Sequence, residues 1–296
     1  MATIWIFNPT SDSGLKPAIG GQLLKVSENN LSLRNPWVTD SVFMGKLYCA
    51  MTLMLIIGFY PYLLPSILDL YAKDKLLMFF LLVTPFPFTP FLAYRIYFIK
   101  NLSSFCLNRS TQKIYYRRLS KVLVFEWSNT GGGIFKRTEY GGSSFSTSYA
   151  LAFAPRRADG SLHQKDCLWI DSNEPNEPGV KHVAEVWEYL RHFMAYGPDK
   201  LPPPGEANWW HKPLHAICLT PAEAWRHYAP WRTGEPGEMQ GKKNWQLPFW
   251  AVLFPYNLTV AICWYGICRL FNVRVASPPP EAFEERPAHS GKRKRA

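Results

Sequence analysis

The sequence predicts a membrane protein of the α+β class: an N-terminal transmembrane helical hairpin, a cytoplasmic antiparallel β domain closed by an amphipathic helix, and a late third apolar helix. Three observations carry this expectation. Leu47–Leu68 holds 22 residues and Leu76–Tyr94 holds 19, both without a charge. At ~1.5 Å per residue, about 20 apolar residues cross a hydrocarbon core of ~30 Å. Between residues 101 and 171, β-rich runs alternate with turn-like clusters. A third uncharged run of 22 residues, Leu247–Cys268, follows late in the chain.

The predicted boundaries are a polar N-terminal segment over 1–46, the hairpin over 47–98, and the β-rich domain with its C-terminal helix over 101–200. A Pro/Trp-rich juxtamembrane linker follows over 201–246, then a third transmembrane or re-entrant helix over 247–271 and a disordered basic tail over 272–296. In the first segment, Leu23–Val26 and Leu31–Arg34 alternate weakly around Asn29-Asn30, as two short strands joined by a turn would. Residues 1–7 lack a basic start and a long apolar run, so the first spanning helix itself is the expected insertion signal.

Seven residues, 69–75, separate the two hairpin runs, enough only to turn round. Pro61, Pro65, Pro85, Pro87 and Pro90 interrupt the runs, and each removes a backbone donor. No charge accompanies these breaks, so kinked anchors are expected rather than a transport path. Lys and Arg crowd the flank after the second run, from Arg95 and Lys100 to Lys121, while the turn is balanced by Asp69 and Asp74. The positive-inside rule then puts both hairpin ends, and the β domain with them, in the cytoplasm. Lys242, Lys243, Arg269 and Arg274 flank the third run on both sides and leave its orientation open.

Within the β domain, Ser103–Leu107, Lys113–Tyr116, Val122–Trp127, Ser144–Phe153 and Cys167–Ile170 read as an antiparallel meander. Val183, Val186, Trp187, Leu190, Phe193 and Met194 then fall on one face of a helix that ends at Gly197-Pro198. Strands closed by one such helix resemble a pleckstrin-homology-like barrel. His182, Glu185, Glu188, Arg191 and His192 are expected on the solvent side of that helix. Farther on, Thr220-Pro221-Ala222-Glu223 has the form of a capping box and opens a short helix to about Tyr228. The tryptophans of 205–246 suit an aromatic belt at headgroup level, with an ordinary aromatic core as the alternative.

The chain has a formal net charge of +11. Beside apolar spans this points to anionic lipid more than to nucleic acid, and no nucleic-acid partner is expected. Arg109, Lys113, Arg117, Arg118 and Lys121 form the densest basic cluster of the folded part; of these, Arg109, Arg117, Arg118 and Lys121 are the candidate lipid or partner contacts.

Chemistry-bearing motifs are weak. Gly131–Gly133 followed by Lys136-Arg137 lacks the phosphate-loop pattern and reads as a plain hairpin loop. His211 and His215 have zinc-like spacing, but Pro213 lies between them and the glutamate of a metalloprotease helix is missing. Ser143, Ser144, Ser146 and Ser148 have no nucleophile elbow around them. The six cysteines contain no CxxC pair and are expected as free thiols on the reducing side of a membrane. No enzymatic activity, cofactor or metal is expected.

LNRSTQKIYYRR at 107–118, VLVFEW at 122–127 and VWEYLRHFMAYGPDKLPPP at 186–204 together resemble an uncharacterised bacterial membrane-protein family. Its members have an N-terminal membrane hairpin, a β-rich domain, a W-E-x-[LI]-R-x-[FY]-M-x-x-G-P helix end and a late apolar segment. The resemblance covers about residues 20 to 270. Such proteins are similar to ones encoded beside type VI secretion effectors. The resemblance implies a multi-pass inner-membrane immunity protein that neutralises a membrane-active, pore-forming, colicin-like effector, with that toxin and membrane lipids as partners. The alternative expectation is a membrane-anchored scaffold or lipid-sensing module with a pleckstrin-homology-like domain.

Overall fold

The computed structural model describes residues 3–58, 61, 62, 65, 75, 76, 79, 83, 86–140, 145–163, 167–171, 179–205 and 208–284. Among the described residues the chain is α+β, with two antiparallel sheets and two helices long and apolar enough to cross a membrane. It divides into two compact units, and both are discontinuous in sequence. Unit one comprises Met1–Pro36, Ser103–Glu206 and Ser277–Ala296; unit two comprises Trp37–Leu102 and Ala207–Ala276.

Among the described residues, unit one holds nine strands. The five-stranded sheet runs in the order β2 (Leu23–Val26), β3 (Asn30–Leu33), β4 (Phe105–Asn108), β5 (Lys113–Arg118), β6 (Lys121–Glu126). The four-stranded sheet runs β1 (Thr3–Phe7), β7 (Thr130–Tyr140), β8 (Phe145–Pro155), β9 (Leu168–Asp171). The N-terminal segment thus supplies strands to both sheets. Leu31 and Leu33 are fully buried, and Leu33 pairs with Phe105 across 71 residues of intervening sequence. Alternating apolar residues make β3 legible, whereas β1 follows only from its pairing, Ile4 with Ile134 and Trp5 with Gly133.

The glycine run at 131–133 is corrected from a hairpin loop to the first stretch of β7, directly after Thr130. Its role is steric. A methyl group at Gly132 would fall 2.6 Å from the Trp187 ring, and one at Gly131 equally close to Leu162. Helix α3 (Val180–Tyr196) lies over this strand with Val183, Val186, Trp187, Leu190 and Phe193 buried, the face that the periodicity predicts. The Trp187 ring stacks on Phe7 at 5.8 Å and on Trp127 at 5.1 Å, while Phe105 meets Phe153 edge-on at 5.7 Å to join the two sheets.

The expected solvent face of α3 needs two corrections. Glu188 is fully buried; it accepts hydrogen bonds from the Ser13 backbone N–H at 3.0 Å and Arg191 Nε at 2.6 Å. His182 is also buried, with Nδ1 3.4 Å from Glu185. The cause is the N-terminal segment, which covers this side of the helix: the Ala18 N–H donates to Glu185 O and Arg191 pairs with Asp12. Burying a carboxylate demands such partners.

The tail also departs from expectation. Residues 272–284 were predicted to be disordered, but Asn108 Nδ2 donates to Ala282 O at 3.0 Å and to Glu284 O at 2.9 Å. Ala282 is buried against Cys106 and Tyr115. Two hydrogen bonds from a buried amide and one small apolar contact hold the segment on the sheet. Residues 285–296 lie outside the described residues.

In unit two, α1 (Pro36–Gly58) begins 11 residues before the predicted span, with proline at its first position. Polar residues up to Lys46 extend the same helix. Helix α2 (Thr89–Asn101) takes up the end of the second apolar run; within Leu76–Tyr94, residues 77, 78, 80–82, 84 and 85 lie outside the described residues, as do 66–74, which hold most of the predicted turn. Helix α4 (Pro221–Tyr228) starts with the predicted capping box, since Thr220 Oγ1 accepts from the Glu223 N–H and the Thr220 N–H donates to Glu223. Helix α5 (Leu247–Leu270) is continuous through Pro255.

Candidate membrane-facing surface and tryptophan module

The four candidate contact residues do not form one cluster. Arg118 pairs with Lys121 and Arg117 with Val122, so these three charges crown the β5–β6 hairpin, where all three are exposed. Arg109 lies in the turn between β4 and β5, at the opposite end of β5. At ~3.3 Å per residue a six-residue strand separates the two ends by roughly 20 Å. The Arg109 guanidinium packs instead against Gly197, the residue with φ +84° that ends α3, and it belongs to the scaffold.

The basic hairpin tip marks one end of the five-stranded sheet. Beside it, Ser103 Oγ accepts from the Arg117 N–H at 2.9 Å, and Asn35 Nδ2 donates to Ser103 O at 2.9 Å and Tyr116 OH at 3.4 Å. Pro36 and Ser103 are the residues at which the chain leaves and re-enters unit one. The third passage, at Ala276, is tied to Leu102, whose carbonyl accepts from the Ala276 N–H. Three of the four covalent passages therefore gather where Arg117, Arg118 and Lys121 are exposed.

Within unit two, three helix ends meet. Arg95 of α2 pairs with Asp40 near the start of α1 at 3.0 Å. Lys100, near the end of α2, donates to Phe271 O just past α5 at 3.1 Å. Tyr48, two residues beyond Lys46, the last charge of α1, stacks on Phe88 and meets Phe91 at a tilt. Helices α1 and α2 thus run antiparallel, with charges at one end and aromatic rings next to them, an order that suits a membrane interface. Lys46 itself donates to Pro213 O, and the Trp264 indole N–H donates to Ile217 O at 2.7 Å while its ring lies against Gly45.

Residues 208–246, expected as a linker, fold into a module around Trp209, which is 2% exposed. Its ring packs on His227 at 4.2 Å and Trp250 at 5.4 Å, and Gly241 leaves room for it. The indole N–H donates to Glu235, which also receives Lys212. A second buried carboxylate, Glu238, accepts from the N–H groups of Thr233 and Gly234, each at 2.9 Å, and from Lys242 at 2.6 Å. Burial works to raise the Glu238 carboxyl, but Lys242 and these N–H groups outweigh it and hold its pKa at about 2. Burial pushes His227 down to about 4 against the opposing pull of Glu235. The Cys218 thiol is lowered to about 7, first by its hydrogen bond with Cys268.

Lys242 therefore leaves the set of charges that flank the third apolar run. It is fully buried and spends its protons on Glu238 and the carbonyls of Arg226 and Trp231. The sequence expectation of an interfacial belt does not reveal this module, because the charged residues that hold it together carry no apolar periodicity. The signal was present as Glu238 and Lys242 at i, i+4 between Gly237 and Gly241.

No protein-family model, curated protein or solved structure matches the chain.

Proposed function

We propose that the chain is a non-enzymatic inner-membrane binding protein, anchored by its apolar helices, whose β unit works at the cytoplasmic membrane surface. The observation that carries this reading is the gathering of three chain passages at the basic β5–β6 tip. That tip carries three exposed charges, Arg117, Arg118 and Lys121, and against anionic headgroups each would contribute about 1 kcal/mol. The sequence resemblance supplies the occupant of the binding surface: a membrane-active, pore-forming, colicin-like type VI secretion effector, which this protein neutralises as its immunity partner. A toxin that inserts helices can be blocked laterally by resident helices, because packing in lipid depends on close shape fit.

Co-expression with the toxin encoded next to this gene tests the reading. Protected cells and copurification of the pair from solubilised membranes are the expected result. Full protection by a chain from which residues 47–98 are deleted would overturn the membrane-blocking mechanism.

A lipid-sensing module is the second reading, and one observation favours it. In this reading the meander β3–β6, the meander β7–β9 and helix α3 would supply the strands and closing helix of a pleckstrin-homology-like barrel, with β2 and β1 added at the sheet edges. Fold likeness alone assigns no ligand. Titration of the solubilised full chain with a soluble inositol phosphate separates the two readings: saturable binding supports lipid sensing, and no binding leaves the protein-partner reading in place.

A further inference from the structure

We propose that α5 does not cross the membrane but lies along its surface, at the boundary of headgroups and acyl chains, with Trp245, Phe249, Val252 and Tyr256 turned into the lipid. The proposal rests on the membrane attachment inferred above and concerns how the third apolar helix takes part in it.

The first observation is what covers the opposite face. Trp250 packs on Trp209, Phe254 on Trp225 and Trp231, and Ala261 on Leu219 and Ala224. The tryptophan module therefore follows α5 along most of its length. That module has a charged exterior: Glu223 and Arg226 of α4 and Arg232 beyond it are exposed. A spanning α5 would put Phe254 and Ala261 near mid-bilayer and carry the charges of α4 into hydrocarbon beside them. Each such charge costs at least about 2.5–3.5 kcal/mol at that depth. A helix lying in the interface avoids the cost, because its module then faces water.

The second observation is the level at which α5 meets α1. The Trp264 ring sits against Gly45, next to Lys46, the last charge before the uncharged run of α1. That is the headgroup level of α1, so α5 crosses it there. The third is the outward face itself. Phe249, Val252 and Tyr256 recur at intervals of three and four on one side of the helix and are 65%, 76% and 38% exposed, and Trp245 in the turn just before it is 67% exposed. Half-exposed Trp225 and Trp231 border the module, and exposed Arg226, Arg232 and Lys243 suit anionic headgroups.

Two exposed positions of unit two bracket α5 and test the proposal in the full chain: Met239→Cys before it and Arg274→Cys after it. Labelling by a membrane-impermeant maleimide, measured as gain over the parent chain, is compared in right-side-out and inside-out vesicles. Both variants should gain label in the same vesicle orientation. Gain in opposite orientations, with the chain retained after a carbonate wash, overturns the surface assignment alone. Release of the chain by carbonate overturns the attachment and this proposal together. A nitroxide at Tyr256→Cys gives an independent depth, about 5–10 Å below the headgroups for a surface helix and about 15 Å for a spanning one.

Discussion

Lys242 and Glu238 form a fully enclosed ion pair, 2.6 Å from Nζ to Oε1, with every donor of the ammonium directed at the carboxylate or a backbone carbonyl. Removing one member leaves the other charged and dry. Lys242→Met is expected to destabilise the tryptophan module by about 3–5 kcal/mol, and Glu238→Gln by a similar amount. The double variant should be less destabilised than the sum, since no unpaired charge remains. Thermal denaturation of the four proteins in one detergent checks this; strict additivity would mean that the pair is not coupled.

Acid should loosen the same module in two stages. The folded pKa of His227, about 4, lies below the usual histidine value, so the unfolded chain binds the proton more tightly. Stability from a neutral His227 is complete above about pH 6.5 and is lost as pH falls toward 4, in total about 3 kcal/mol. Glu238, held at about 2, adds a second loss between about pH 4.5 and 2. His227→Gln should flatten the upper stage and leave the lower one. Melting temperature against pH, followed by tryptophan fluorescence, reads both.

Gly132 and Trp187 make a third prediction. An added methyl group has no room beneath the indole, so Gly132→Ala should cost about 1–3 kcal/mol through overpacking. Trp187→Phe in the same chain should recover part of the loss. Denaturant titration of the single and double variants would show non-additive midpoints if this contact is the source.

The basic tip makes a fourth. A fluorophore on Ser120→Cys, in full chain reconstituted into vesicles, should report a drier environment with anionic than with zwitterionic lipid. High salt should abolish the difference, as should Arg117→Gln, Arg118→Gln and Lys121→Gln combined. Arg109→Ala should leave the fluorescence response unchanged and lower stability instead, because its guanidinium packs on Gly197.

Much of this architecture can be read from residue patterns. Periodicity gives the buried face of α3, from Val183 to Met194, and alternation gives β2 and β3 on either side of Asn29-Asn30. The Thr220–Glu223 capping box gives the start of α4 because its geometry is local. What pattern reading misses has non-local causes. Glu188 looks like a solvent residue on a helical wheel until Ser13 and Asp12 fold over it. Gly131–Gly133 looks like a loop because the rings that need the space, Trp187 above all, come some 55 residues later. The same holds for the candidate site: Arg109 is near Arg117 in sequence, yet a straight strand carries them to opposite ends of the sheet.

The pairing of β3 with β4 also has a consequence for biosynthesis. A ribosome releases β3 long before β4, and in the membrane-attached protein proposed above the apolar stretches between them are handed to the insertion machinery in that interval. The five-stranded sheet stays open, with Leu31 and Leu33 uncovered, until that handover is complete. Sheet closure thus follows insertion as a matter of chain order. A chain whose apolar stretches stall before insertion would carry a gaping, aggregation-prone sheet edge, a ready mark for quality-control proteases.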